Sequence, residues 1–493
     1  MAMTPRCVAL AAFLACMPVL AQTPAAAPDT LTEATRRAID GNPEVTARLN
    51  AVRGSIDAID VARGGRLPKL DAEATVGRSE DRISTRSPQS ASLDRNGVAL
   101  TVTQLLWDGQ ALTHEIGRLD FERQARWFEL LDTTELTALE VARAYVDVMR
   151  MRRLVDLTEE SYVQHKYVHQ QIQSRVRAGV GRGVDLEQAA ARLALAESNL
   201  TTETANLHDV MARYMRLVGE APAQRPGRPA ALSTALPASA QQAMTMALRN
   251  NPAISATIAT MRSARMQGKE RESAFLPRVE AKVRAGTGRN FDGVPDQKND
   301  VNAAVTLNWN LFNGFSDQAR VRQQAHLMNQ AADLRDKACR DARQTAAIAF
   351  NDVAKLTELI AALDRNVLAI EKARDAYRQQ FEIGQRSLLD LLNAENELYT
   401  ARRAYANADF DKLLAQARML AATNELTARL GLRAPMLAGD AGIDNWNAAD
   451  DLPTRCPVVM AEVLTTPRNE LDARAQRLMQ SAPQPAQPVA PRQ

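Results

Sequence analysis

Residues 380–398 read QFEIGQRSLLDLLNAENEL. They sit between two runs without a helix breaker: residues 315–383 hold neither glycine nor proline, and neither do residues 387–430. At about 1.5 Å per residue, a run of that first length is roughly 100 Å of helix. Only Ile383-Gly384-Gln385-Arg386 interrupts it, and the pattern that resumes opens on a carboxylate at Asp390, a charge that a helix N-terminus favours.

The interruption is written twice. Gly179…Asp185 repeats as Gly384…Asp390, Ala144-Tyr145-Val146-Asp147 as Ala349-Phe350-Asn351-Asp352, and Leu106-Trp107-Asp108-Gly109 as Leu311-Phe312-Asn313-Gly314, all offset by 205. Asn42-Pro43 and Leu67-Pro68 recur as Asn251-Pro252 and Leu276-Pro277, offset by 209. A duplicated unit therefore spans most of the chain, with a four-residue difference in length between Pro68 and Leu106.

That same interval changes its hydrophobic period. Val279, Ala281 and Val283, then Val301, Ala303, Val305, Leu307, Trp309 and Leu311, fall on every second residue. Such alternation marks a strand with one apolar and one polar face. The expected order is a signal peptide at 1–21, a first repeat at 22–218, a linker at 219–240, a second repeat at 241–432 and a tail at 433–493. In the first repeat, strands are expected at about 69–78 and 96–107, a long helix at about 109–178 and a return helix at 184–217. Their counterparts are strands at about 277–287 and 299–312, a long helix at about 314–383 and a return helix at 387–431. The tail ends in SAPQPAQPVAPRQ (481–493), a low-complexity stretch expected to be disordered.

Composition excludes several classes of function. A net charge of +3 over 493 residues, without a basic block, carries no nucleic-acid footprint. There is no phosphate-cradling glycine loop and no nucleophile elbow, so neither an enzyme nor a cofactor is expected. Arg6, the apolar run Val8–Ala15 and Val19-Leu20-Ala21 read as a secretory leader. A lipoprotein site at Cys16 is the competing reading, and Phe13-Leu14-Ala15 fits it poorly. Cys339 and Cys456 show no metal-ligand spacing, although a single bridge is open to them in an oxidising compartment. His165 and His169 share a helical face, but Lys166 and the lack of a third ligand point to an exposed face rather than a metal site.

No apolar run after the leader approaches the roughly 20 residues of a spanning helix, so membrane entry would have to be by β-strands. Four strands cannot close a barrel in hydrocarbon. The chain must oligomerise: two copies give eight strands, and three give twelve, enough to enclose a lumen. Trp107, Trp309 and Phe312, at strand ends, would be core in a soluble protein, and at the end of a membrane strand read as an interfacial aromatic girdle.

Taken together, the leader, the duplicated helix–hairpin–long helix–helix unit and the IGQRSLLDLLNAENEL turn resemble the TolC family of trimeric outer-membrane channel-tunnels, over about residues 30–432. The resemblance implies a mainly α fold with membrane β: a homotrimer with a 12-stranded barrel among outer-membrane lipid and an α-helical barrel in the periplasm. It implies partners too, a periplasmic adaptor and an inner-membrane ABC transporter or proton-driven pump. In that family the turns between long and returning helices close the tunnel, here with Gly179 and Gly384 as hinges. Asp390 and Asn393 resemble the constriction ring, Arg386 a basic tie, Asp185 a tie of the first turn, and Phe381 stands where a tyrosine is expected. Phe381 lacks a hydroxyl and Asn393 lacks a charge, which weakens the polar hold on the gate.

Plainer readings stand beside these. Asp390 serves equally as a helix N-terminal charge, Arg386 as a solvated side chain, and Glu395 and Glu397 as surface charges. The string is more similar to family members that serve type I protein secretion than to those of drug efflux. Secretion is therefore the expected role and a multidrug efflux channel the alternative. A periplasmic coiled-coil adaptor or rod would have helices as long, but would not need two alternating hairpins.

Overall fold

The computed structural model describes residues 30–435, except 83, 86, 235, 291–294 and 297, and then 446–448, 456–459 and 465–481. The leader and residues 482–493 lie outside the described residues.

Each repeat opens with two short helices broken at Asn-Pro: α1 (Leu31–Gly41) and α2 (Pro43–Gly64), then α5 (Ala240–Asn250) and α6 (Pro252–Glu272). The asparagine is the N-cap of the second helix in each pair. Asn42 Oδ1 accepts the Glu44 amide at 2.9 Å, and Asn251 Oδ1 accepts that of Ile254 at 3.0 Å. Proline follows at the first helical position, where its missing N–H costs no bond.

The strands β1 (Lys69–Arg82), β2 (Ser90–Trp107), β3 (Arg278–Arg289) and β4 (Asn299–Asn308) form one antiparallel sheet in that order. Register aligns the apolar set across it: Leu70 pairs with Val102, Val102 with Val283, and Val283 with Ala303. The row Asp71, Thr101, Arg284, Asn302 lies on the opposite face. Leu70, Leu100 and Val301 are 68%, 54% and 77% exposed, so the described residues cover neither this apolar face nor the edges of β1 and β4. The first hairpin is longer than the alternation suggested, β1 running to Arg82 and β2 starting at Ser90, where the sequence is mostly polar and shows no alternation; Arg78 Nε donates to Ser92 Oγ across it at 2.7 Å.

The long helices α3 (Ala111–Arg177) and α7 (Ser316–Glu382) have 67 residues each, and the return helices are α4 (Gly183–Val218) and α8 (Leu388–Ala422). Among the described residues no helix is long and apolar enough to cross a membrane. The return helix α8 stops nine residues before the expected 431. Asn424 turns left-handed there (φ +57°), and α9 (Leu426–Arg429) restarts the chain. Glu135 of α3 seats that restart, its carboxylate accepting from the Leu426 amide at 2.6 Å and the Thr427 hydroxyl at 2.6 Å. Burial raises the Glu135 carboxyl above its ordinary value, against the lowering effect of these bonds.

The main core lies midway along the helices, where Val141 and Tyr145 of α3 pack with Leu31 and Ala34 of α1, Tyr214 of α4, Leu420 of α8 and Leu426. The linker is bolted onto this belt: the Tyr145 hydroxyl donates to the Gly227 carbonyl at 2.7 Å, and Arg228 grips both oxygens of Asp409 at 2.7 Å. Cys339 and Cys456 are joined in a disulfide, with Cα atoms 5.3 Å apart. A last helix, α10 (Arg468–Ser481), lies in the tail, where sequence periodicity had faded. Between Ala349 and Phe381 no residue of α7 is buried within the chain, and Leu359 and Leu368 are 46% and 53% exposed. That length of helix needs a neighbour that the described residues do not supply.

Candidate functional site: the helix-tip gate

The two tips are built alike. After α3, the Gly179 N–H bonds to Val176 O at 3.0 Å and the Val180 N–H to Arg175 O at 3.0 Å; after α7, Gly384 bonds to Phe381 O at 3.1 Å and Gln385 to Gln380 O at 2.8 Å. These paired 5→2 and 6→1 bonds are a Schellman motif, which needs a left-handed residue after the helix. Gly179 (φ +75°) and Gly384 (φ +79°) supply it.

The helix restarts differ. Ser387 caps α8 in a reciprocal box: the Asp390 amide donates to Ser387 Oγ at 3.2 Å, while the Ser387 amide and hydroxyl donate to Asp390 Oδ2 at 3.3 and 2.9 Å. Arg182 holds the equivalent position before α4 and makes no side-chain cap, so Asp185, in the first turn, has no such partner. Within one chain Asp390 is thus a capping residue. Its nearest basic group is Arg386 Nη1, 3.8 Å from Oδ2. Arg386 itself folds back on α7, with Nε 3.1 Å from Gln380 Oε1 and its guanidinium carbon 4.7 Å from the Tyr377 ring centre.

What joins the two hairpins is first of all apolar. Val168 and Ile172 of α3, Ala189 of α4, Phe381 of α7, and Leu388, Leu391 and Leu392 of α8 make one cluster. Phe381 is 7% exposed, and Arg175 of α3 lies over its ring at 5.1 Å. The missing hydroxyl is therefore replaced by packing and a cation–π contact. Asn393, exposed on α8, accepts from Arg192 Nη2 of α4 at 3.2 Å, a second link between the hairpins.

Above this cluster lies a polar layer that sequence reasoning missed. Arg378 donates to Gln164 at 2.8 Å, Arg402 to Glu160 at 3.2 Å and to Glu371 at 2.6 Å, and the Tyr399 and Thr158 hydroxyls share a bond of 2.9 Å. A cavity of about 650 Å³ lies among these groups, between α3 and the α7–α8 pair. Two expectations are corrected here. Glu395 is not a surface charge: it is 8% exposed and paired with Arg374 Nη1 at 3.3 Å. His165 is not on an exposed face: it is 7% exposed, with Nδ1 2.8 Å from the Ser161 carbonyl of its own helix turn, while His169 is half-buried. Among the described residues no group of three His, Cys, Asp or Glu side chains could hold a metal ion. The signal for the layer was available in Glu371, Arg374 and Arg378, whose spacing places them on one helix face.

At the opposite end Trp107 closes β2, but β4 ends at Asn308, so Trp309 and Phe312 lie past the strand expected to run to 312. All three are exposed, at 42%, 55% and 72%. Trp309 Nε1–H donates to the Phe275 carbonyl at 3.0 Å, and Phe312 meets Phe315 edge-on with ring centres 5.3 Å apart.

The model of one family, described as outer membrane efflux protein, matches residues 34–220 and 243–425, one segment for each repeat. The chain belongs to the outer membrane efflux protein family. It is 26% identical over 411 residues to the outer membrane efflux protein BepC of Brucella suis, covering 83% of this chain and 88% of BepC. To the alkaline protease secretion protein AprF of Pseudomonas aeruginosa it is also 26% identical, covering 78% of this chain and 82% of AprF. The solved outer-membrane channel OprN superposes with a TM-score of 0.71 at 18% identity, covering 80% of this chain and 90% of OprN, a likeness of fold. As a member of the efflux protein family the chain is a non-enzymatic outer-membrane channel protein with a periplasmic helical extension. Channels of the family form trimers that work with an adaptor and an inner-membrane pump.

Proposed function

We propose that this protein is the passive exit duct of a tripartite efflux pump that expels small molecules, three copies closing a barrel of twelve strands. One observation carries the reading. A single chain bears an open-edged sheet with one apolar and one polar face, and, roughly 100 Å of helix away, two tips closed by the same pair of backbone bonds. Three apolar faces turned outward meet lipid, three polar faces line a lumen, and Trp107, Trp309 and Phe312 sit at the membrane boundary. At the tips, Phe381, Arg386, Asp390, Asn393 and Asp185 form the gate, and Gly179 and Gly384 fix the reversals. Three Asp390 side chains around the axis would repel one another and attract cations. A periplasmic adaptor and an inner-membrane transporter open the gate and supply the energy.

Efflux, rather than the secretion expected from the tip sequence, is supported by the family's description and by BepC. The similarity to AprF, named for protease secretion, keeps secretion as the second reading. The test is a gene deletion complemented in trans, with drug susceptibility and the secreted-protein profile measured on the same cultures. Efflux predicts at least a fourfold fall in inhibitory concentrations with secretion unchanged. Lost secretion with unchanged susceptibility would overturn it.

A further inference from the structure

The described part of the tail is fastened to three helices. The ring centre of Trp446 is 4.7 Å from that of Phe128 on α3, and the Arg262 guanidinium carbon of α6 is 4.9 Å from the same indole. Ten residues on, Cys456 is bonded to Cys339 of α7, and the adjacent Pro457 carbonyl accepts from Arg343 Nη1 at 3.1 Å. Phe128 belongs to the first repeat; Arg262, Cys339 and Arg343 belong to the second. The contact is part of a core: Cys339 and Cys456 are 1% and 5% exposed, clustered with Met244 and Leu248 of α5 and Ile254 and Ile258 of α6, with Trp446 and Ala448 packed against them. The family model ends at residue 425, so this part of the tail lies outside the body common to the family.

We propose that the tail is a covalent strap across the belt, closed by oxidation of Cys339 and Cys456, which ties the two repeats together and pins α7 roughly 70 Å of helix above its Gly384 tip. The bond links positions 117 residues apart. Beside it, the strap is held by the half-buried Trp446 indole, by Ala448 packed on the same cluster and by the Pro457 carbonyl. Closure removes two protons and two electrons from the two thiols. An oxidant bearing its own disulfide accepts them by thiol–disulfide exchange through a mixed disulfide and leaves as a dithiol, chemistry that the periplasmic compartment supports. Because both sulfurs are buried, a reductant's thiolate reaches them only after the strap lifts. The strap is therefore a fastening made during maturation, with the body of the channel held at the belt and movement confined to the tip end. It stands whichever cargo the duct carries.

The test uses the full-length protein purified from outer membranes. Peptide mapping without reductant should recover a single linked pair containing Cys339 and Cys456, and thiol labelling of the native trimer should find neither sulfur until reductant and denaturant are added together. Cys456→Ser should still assemble, but lose its tail to subtilisin at least tenfold faster than wild type. Trp446→Ala, with the bond intact, should keep the tail joined to the body on a non-reducing gel after cleavage. Two free thiols per chain in the denatured, unreduced protein overturn the proposal, as does equal tail loss in wild type and Cys456→Ser. Should the serine variant fail to assemble, wild-type trimer reduced in mild denaturant and alkylated gives the same comparison of tail loss.

Discussion

Arg175 on α3 lies over the ring of Phe381 on α7, 5.1 Å from its centre, and this contact joins the two helical hairpins at the tip. An exposed cation–π pair is worth about 0.5–1 kcal/mol, whereas emptying the space of a buried phenylalanine costs about 3–5 kcal/mol. Packing therefore dominates. Phe381→Ala should raise resting conductance in planar bilayers and lower the dissociation temperature of the trimer, and Arg175→Gln should do so several-fold less. Equal effects would mean that charge, not packing, holds the ring.

The glycines at the two tips make a matched prediction. Apart from the adjoining residues of the chain, no atom lies within 4 Å of where a Cβ would stand at Gly179 or Gly384, so only the left-handed backbone opposes a side chain. Alanine at either should cost about 1–2 kcal/mol, equally at both, and asparagine less. Thermal dissociation of each variant trimer checks this; a large effect at one tip alone would mean that the tips are not equivalent.

Asp390 has two jobs in this account, capping α8 and charging the gate. Asp390→Asn keeps an acceptor for the Ser387 amide and removes the charge. It should weaken cation block of single-channel current while changing stability by less than about 1 kcal/mol. Asp390→Ala should lose both. Undiminished block in the asparagine variant would remove Asp390 from the pore.

The belt carries a pH dependence at Glu135. Its carboxyl is raised by burial, so the folded state holds a proton more tightly than the unfolded chain does. The stabilisation this brings is complete below the ordinary carboxylate range and fades as pH rises through the raised value. Glu135→Gln should therefore be most destabilising at acid pH and lose part of its deficit toward neutrality, read as the gap in melting temperature from wild type. A gap that widens with pH would show that the ionised form is the stabilising one.

The duplication made most of this fold legible, because the signals it repeats are local backbone devices. Asn-Pro caps a helix, and a glycine after a long breaker-free run ends one by the same two hydrogen bonds in both halves. Strand alternation is readable only where one face is apolar, so the mostly polar outer ends of β1 and β2, to Arg82 and from Ser90, give no strand signal. The end of α8 was hidden because Asn424 takes the left-handed conformation without glycine or proline nearby, while Glu135, almost three hundred residues earlier, receives the next turn. Burial of His165 and Glu395 was also hidden. A helix of 67 residues changes neighbours along its length, so no single apolar stripe tells which polar side chains turn inward. Within one chain Phe381 and Asn393 meet Arg175 and Arg192, partners that no spacing in the sequence announces.

A gated duct formed by copies of this chain is tested by recording purified full-length protein in planar bilayers. The purified protein should give discrete insertions with a small resting conductance, reduced by added multivalent cations and several-fold larger for Phe381→Ala. Protein that yields no insertions and is recovered as a monomer from the soluble periplasmic fraction would contradict it.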